Sequence, residues 1–127
     1  MGRLRIAYIA LGGAIGALAR WRIALALPAA SGLPLGILVI NLSGCLLLGL
    51  LSAHRGRAPG HPDLRIGLAT GFCGGYTTFS TWEGGMYALV TGRHLGLAAV
   101  YLGASLVGGA LCMMAGRRLG VLLSVAD

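Results

Sequence analysis

Four long apolar runs, each of about 20 residues or more and nearly free of charge, constrain this chain more than any other feature of its sequence. They cover about residues 6–27, 33–53, 66–92 and 95–116. A helix needs about 20 apolar residues to cross the hydrocarbon core of a bilayer, and it satisfies its own backbone hydrogen bonds there. The sequence therefore predicts an all-α integral membrane protein, a single domain over residues 1–127 with four transmembrane helices.

The chain has few charged side chains, which limits the chemistry it can carry. Charged residues make up 10% of its 127 residues, whereas soluble domains carry about 25%. The three acids, Asp63, Glu83 and Asp127, leave little room for paired-carboxylate catalysis or an oxygen-rich divalent metal site. No pair of nucleophile and base is apparent, so we do not expect an enzyme.

The other charged residues are ten arginines, which lie mostly at the ends of the apolar runs and form no single patch. This distribution argues against a nucleic-acid partner. Seven arginines fall at the termini or in the loop after the second run, and three fall on the opposite side. Cationic residues favour the cytoplasmic side of a membrane, so we expect cytoplasmic termini.

The third run contains the most informative segment. It includes Gly71-Phe72-Cys73-Gly74-Gly75-Tyr76-Thr77-Thr78-Phe79-Ser80-Thr81-Trp82. Adjacent glycines and hydroxyl side chains both weaken a straight helix, and backbone groups freed at mid-membrane need a partner, an ion or trapped water. We expect the third helix to break at Gly74-Gly75 and to present its backbone to an ion. The alternative is a flexible, glycine-packed helix whose hydroxyls are satisfied internally.

Polar side chains also occur inside the other runs. Asn41 lies at mid-depth of the second run, where its amide can serve an anion or bond to a neighbouring helix. Tyr101 and Ser105 are four residues apart, so their hydroxyls share one helix face; they either form part of a polar track or bond to neighbouring carbonyls. Arg20 is deep enough to need a hydrogen-bonding partner, and it can attract anions to the mouth of a pathway.

Two aromatic residues, Phe79 and Trp82, are three residues apart and share a helix face. Core packing is the usual role of such a pair. The alternative is weak attraction of a small anion, because ring edges carry a partial positive charge. Glu83 is the only acid within an apolar run, and a single carboxylate gives little support to a proton or cation relay.

Together these residues resemble the Fluc family, the CrcB-type fluoride ion channels of prokaryotes. The similarity covers about residues 8–118, and residues 71–81 are its most specific part. The other matching motifs are Gly12 to Arg20 in the first run, Gly36, Val39-Ile40-Asn41-Leu42 and Gly44 in the second, and Tyr101 with Ser105 in the fourth.

The resemblance implies a passive channel that exports cytoplasmic fluoride across the prokaryotic inner membrane and lowers fluoride toxicity. It further implies a dual-topology homodimer, with two subunits inserted antiparallel in lipid and fluoride pores along their interface. The implied pathway residues are Asn41, Phe79, Trp82, Tyr101 and Ser105. The implied cofactor is one central structural Na⁺, held by the carbonyls of Gly74 and Thr77 from both subunits. Arg20 would lie in a vestibule or serve the structure.

Some features depart from the family pattern. Trp82 stands where the family usually has a second pore phenylalanine, and three other positions differ: Ile37 replaces a common Thr, Gly85 a frequent Glu, and Gly109 a common Ser. Dual insertion also calls for an arginine bias near zero, whereas the count above differs by four. A heterodimer with an opposite-topology paralogue is therefore the alternative assembly.

The rival function is a proton-coupled exporter of cationic compounds, of the small multidrug resistance type. That mechanism needs a membrane-embedded acid, which that family carries in its first span, and the first run here has none. A purely structural protein is the third option, but it would leave the broken helix unexplained.

Overall fold

The computed structural model describes residues 2–29, 32–53 and 62–125, and its regular structure is helical throughout these ranges. Most of the predicted polar loop after the second run, with Arg55 and Arg57, lies outside the described residues. Ala30 and Ser31, between the first two runs, also lie outside the described residues.

The helices follow the apolar runs in order. They are α1 (Arg3–Ala26), α2 (Leu35–Ala53), α3 (Pro62–Ile66), a π-helical segment (Gly67–Phe72), α4 (Cys73–Tyr76), α5 (Ser80–Thr91) and α6 (Leu95–Val125). Of the described helices, α1, α2 and α6 are long and apolar enough to cross a membrane. The all-helical prediction is confirmed, and the third run forms a helix in pieces.

The last helix is longer than the run that predicted it. α6 has 31 residues and continues beyond Gly116 to Val125. At 1.5 Å per residue it is about 46 Å long, which exceeds the ~30 Å hydrocarbon core. Arg117 and Arg118 lie in this extension and are exposed, as expected for cationic side chains at a bilayer surface.

The break in the third run lies at Thr77–Phe79, between α4 and α5. The predicted position, Gly74-Gly75, is wrong, because both glycines are helical within α4. Gly75 packs against the backbone of α1: an added Cβ would collide with the carbonyl oxygen of Gly13. An added Cβ at Gly74 would instead meet nothing within 4 Å. One glycine therefore serves close helix packing and the other leaves space beside the helix.

Close backbone approach also joins the π-helical segment to α1. A Cβ at Gly67 would lie 2.8 Å from the carbonyl oxygen of Tyr8, and one at Gly71 would lie 2.6 Å from that of Ile9. One side of this segment carries no side chains where it faces α1, because glycine recurs there every four residues, at Gly67, Gly71 and Gly75. We call this side the glycine ridge. Small residues at such spacing let two helix backbones touch in lipid, and this contact fixes the position of the segment that leads into the break.

The small apolar core lies between α5 and α6. Leu89, Ala98 and Tyr101 are buried there, and Trp82 and Met86 pack against them. The outward faces of α1 and α6 are apolar and exposed, with Leu18 at 59% and Leu106 at 65%. Such surfaces are typical of a chain whose solvent is lipid or whose face is covered by another subunit.

We expect Gly71→Ala to destabilise the protein, because its methyl group must displace the α1 backbone at Ile9. Overpacking of this kind costs about 1–3 kcal/mol, and the readout is the thermal unfolding midpoint in detergent. Gly96→Ala is the matched control, since an added Cβ there meets nothing within 4 Å. Equal midpoints for the two variants would contradict the close contact.

Candidate functional site

The side chain of Asn41 bridges to the backbone at the break. Its Nδ2 donates to the carbonyl oxygen of Thr78 at 3.0 Å, and its Oδ1 accepts from the Thr78 backbone N–H at 2.9 Å. A backbone polar group left unpaired in lipid costs several kcal/mol, and this one amide satisfies two such groups. Of the two alternatives for Asn41, the interhelical bond is present. The amide has a second N–H, whose orientation is fixed by these two bonds.

Gly74 and Thr77 are among the residues whose carbonyls lose their helical hydrogen bonds at the break. The N–H that would bond to the carbonyl of Gly74 in a continuous helix belongs to Thr78, and it is given to Asn41 instead. The corresponding N–H for the carbonyl of Thr77 belongs to Thr81, and it donates to the Thr78 Oγ1 at 3.3 Å. The two carbonyls expected to hold Na⁺ are thus the two whose helical donors are diverted to side chains.

Arg20 has the partner that its depth in the first run demanded. Its Nη1 donates to the carbonyl oxygen of Thr77 at 3.3 Å, so a guanidinium of α1 reaches the break. A carbonyl oxygen has two lone pairs, and this long bond uses one of them. The positive charge beside Thr77 favours an anion nearby and opposes a second cation at the same oxygen.

An open groove of about 470 Å³ runs along the break. It brings together four of the five expected pathway residues, Asn41, Phe79, Trp82 and Ser105, with both expected Na⁺ residues, Gly74 and Thr77. The described residues that line this groove include no carboxylate and no basic side chain. Their ionisable groups are the thiols of two cysteines. The groove therefore offers hydrogen-bond donors and ring edges without a fixed negative charge to repel an anion.

The aromatic residues form a stack of three rings beside the groove. The ring centroids of Phe79 and Trp82 are 5.5 Å apart, and those of Trp82 and Tyr101 are 5.8 Å apart. Phe79 is 74% exposed, so its ring lies open on the groove side of the stack. Phe79 precedes α5, so the prediction that Phe79 and Trp82 share a helix face is wrong, although their rings are in contact.

Ser105 and Tyr101 do not present two parallel hydroxyls. Ser105 Oγ donates to the carbonyl oxygen of Tyr101 at 2.7 Å and accepts from Trp82 Nε1 at 2.8 Å. Tyr101 is fully buried and does not line the groove. Its hydroxyl has no hydrogen-bond partner among the described residues. Only Ser105 of this pair thus faces the groove, and it is bonded to the neighbouring carbonyl.

Sequence reasoning missed the role of Thr78. Its side chain is buried at 7% exposure, and its Oγ1 donates to Thr81 Oγ1 at 3.1 Å while accepting from the Thr81 N–H. The Thr78 hydroxyl thus accepts an N–H from the first turn of α5, while Asn41 bonds to the Thr78 backbone. A hydroxyl residue three positions before another at the start of a helix is the local signal that would have identified it.

One departure from the family pattern has a packing explanation. A Cβ at Gly85 would lie 2.7 Å from Pro34 Cγ, so Pro34 occupies the space of a side chain there. A Cβ at Gly109 would make an ordinary contact, 3.6 Å from Cys45 Sγ, so packing does not explain the glycine at that position. Glu83 is exposed in the first turn of α5 and lies outside the groove lining.

The fold and the groove define a helical, multi-pass membrane protein with one broken helix and, beside the break, a largely apolar groove that carries an amide, hydroxyls and an indole. The family model described as CrcB-like protein, Camphor Resistance (CrcB), matches residues 7–117. The chain therefore belongs to the CrcB family.

Several relatives align over most of both chains. A fluoride-specific ion channel FluC of Chlorobium phaeobacteroides is 41% identical over 90% of this chain and 91% of its own length. FluC 2 of Geobacillus kaustophilus is 45% identical over 86% and 88%. FluC of Pseudomonas aeruginosa is 44% identical over 83% and 84%.

We expect Asn41→Leu to lower stability strongly, because it leaves both polar backbone groups of Thr78 unpaired in an apolar setting. Each unsatisfied group costs about 1–3 kcal/mol, which the thermal midpoint in detergent measures. Ser52→Ala is the matched control on α2, since among the described residues Ser52 Oγ bonds to the carbonyl of Gly49 in its own helix at 2.7 Å. A midpoint for Asn41→Leu no lower than that of Ser52→Ala would refute the bridging role.

Proposed function

We propose that the protein is a fluoride-selective channel that exports cytoplasmic fluoride passively and so lowers its toxicity. The observation that carries the proposal is the uncharged groove at the break, where an amide, a hydroxyl, an indole and an exposed phenyl ring converge. The printed names of the relatives, fluoride-specific ion channels at 37–45% identity, support it.

The residues of the groove act on the ion by weak contacts at several places. Phe79 offers a ring edge and Asn41 offers its second amide N–H. Ser105 lies further along the groove, with its own proton donated to the carbonyl oxygen of Tyr101. Weak contacts at multiple sites let an ion enter and also leave. Asn41 needs no reorientation as the ion arrives, because its other two polar contacts are already made with Thr78.

The exposed groove needs a second wall to exclude lipid from the ion. We propose that the wall is a second copy of this chain, inserted antiparallel as in a dual-topology homodimer. A ring that is 74% exposed beside unpaired polar backbone supports a covered interface at this face. The arginine bias of the sequence favours one orientation, so an oppositely oriented paralogue is the alternative second wall.

We propose that the break also holds a structural Na⁺, chiefly at the carbonyl of Gly74, which is released from helical bonding and has no side chain to obstruct access. The carbonyl of Thr77, the other expected ligand, already accepts from Arg20, whose positive charge opposes the ion there, so Thr77 is the weaker ligand of the two. When bound, the ion supplies a positive charge that lowers the cost of an anion nearby. Arg20 supplies part of the same charge at Thr77, so this chain contributes positive potential at the break from its own side chain.

The direction of transport follows from acid–base chemistry. Fluoride enters cells as the neutral weak acid HF when the surroundings are acidic, and it ionises near neutral pH. The anion is then trapped inside, and a passive channel releases it down its gradient. The lack of an acidic side chain in the groove agrees with uncoupled flow, since no groove carboxylate exchanges protons with the substrate.

We expect proteoliposomes that contain the purified protein to release internal fluoride rapidly after ionophore addition, as measured with a fluoride electrode. Chloride-loaded vesicles serve as the control and should release far less. No fluoride efflux above protein-free vesicles, or equal release of the two halides, would refute the proposal.

We expect Phe79→Ile to reduce fluoride efflux by about tenfold or more, because it removes the ring edge that faces the groove. Tyr87→Ile is the matched control: Tyr87 is similarly exposed at 71% and does not line the groove. Both variants should elute from size exclusion like the unmodified protein. Equal efflux from the two variants would remove Phe79 from the pathway.

A further inference from the structure

We propose that Trp82 acts as a donor-exchange latch that adds anion specificity to the groove. Its indole N–H donates a hydrogen bond to Ser105 when no ion is present, and it donates to a permeating anion instead when one arrives. The inference rests on the proposed channel function and assigns a specificity-determining role to one residue of that pathway. Trp82 lines the groove, and its Nε1 donates to Ser105 Oγ at 2.8 Å.

When no ion is present, Trp82 donates to Ser105 and Ser105 donates to the carbonyl of Tyr101, so every donor in this series is in use. The indole has one donor and no acceptor, and Ser105 uses its single proton on the carbonyl oxygen of Tyr101 at 2.7 Å. Neither residue therefore has a donor to spare for an ion in the groove. An anion gains a donor here only by replacing Ser105 Oγ as the acceptor of the indole N–H.

The buried hydroxyl of Tyr101 shows that this arrangement leaves a polar group unsatisfied. Tyr101 is fully buried beneath the Trp82 ring, at a centroid distance of 5.8 Å, and its hydroxyl has no partner among the described residues. A buried, unpaired hydroxyl is costly. Displacement of the indole toward the groove gives an ion or water access to that hydroxyl, which offsets part of the cost of opening the latch.

The exchange selects for strong hydrogen-bond acceptors. The incoming anion must outcompete a serine oxygen that is already at good geometry, 2.8 Å from the indole nitrogen. Fluoride is the smallest halide and concentrates its charge, so it accepts a hydrogen bond more strongly than chloride does. A chloride ion meets the same series of hydrogen bonds and gains less by opening it. The stacked Phe79 ring, 5.5 Å away on the other side, keeps the indole in place when no strong acceptor is present.

The test compares the ratio of fluoride to chloride efflux from proteoliposomes. Trp82→Phe keeps a stacking ring and removes the N–H, so we expect the ratio to fall by roughly tenfold, the factor for one net hydrogen bond. Ser105→Ala removes the resting acceptor and leaves the indole N–H free for the ion, so fluoride efflux should rise and the ratio should not fall. The double variant should match Trp82→Phe, because loss of the acceptor has no effect once the N–H is absent.

A purely steric role for Trp82 makes a different prediction. Trp82→Phe would then change the flux of both halides together, and Ser105→Ala would not raise fluoride efflux. Either result, or additive effects in the double variant, overturns the latch. Tyr87→Phe is the matched control, because it removes a hydroxyl donor from α5 outside the groove lining and should leave the ratio unchanged.

A second measurement does not depend on transport. The chain has two tryptophans, so the Trp21→Phe background leaves Trp82 as the single indole. We expect its ¹⁵N-labelled Nε1–H resonance to shift on addition of fluoride and not of chloride. If the resonance does not shift with fluoride, the exchange is contradicted, even if a Trp82 variant fails to fold. If the unmodified protein shows no fluoride efflux, the channel proposal is refuted, and the titration still tests the exchange separately.

Discussion

The two hydrogen bonds between Asn41 and the backbone of Thr78 are the interaction on which the rest of the site depends. A helix interrupted in lipid must place its freed polar groups somewhere, and here a single amide from α2 takes one donor and one acceptor. The carbonyls of Gly74 and Thr77 become available because the N–H groups that would have engaged them bond to side chains. The bonds that Asn41 makes to Thr78 thus leave the Gly74 oxygen without its helical donor, while the Thr77 oxygen accepts from Arg20 instead.

Glycine packing determines where this polar chemistry lies. The glycine ridge of Gly67, Gly71 and Gly75 brings the segment before the break into backbone contact with α1, and the same contact brings Arg20 within reach of Thr77. Because the two backbones are in direct contact, neither helix can shift relative to the other. The guanidinium of Arg20 and the carbonyl of Thr77 are therefore positioned by main-chain geometry. The electrostatics of the groove consequently depend on residues that have no polar side chain.

The sequence predicted the class of fold, the broken third helix and most of the residues that meet in the groove. Hydropathy patterns carry the class of fold because lipid imposes the same requirement on every segment, the glycines and hydroxyls of the third run indicated its break, and the set of groove residues was implied by the resemblance to the family. The sequence misplaced the break at Gly74-Gly75, because a glycine pair weakens a helix and also permits close packing, and only the α1 backbone decides between these effects. The burial of Tyr101 could not be foreseen either, since it depends on which way the Trp82 ring lies across the hairpin of α5 and α6.

The break also divides the third run between two packing units. The part before it packs chiefly on α1, and α5 packs chiefly on α6. The groove therefore has one wall from each unit, with Gly74 and Thr77 on one and Trp82 and Ser105 on the other. Changes in the three residues of the connection can alter the width of the groove while both units keep their own contacts. The width of the groove can in this way change without a change in the stability of the bundle, so substitutions can alter the first and preserve the second.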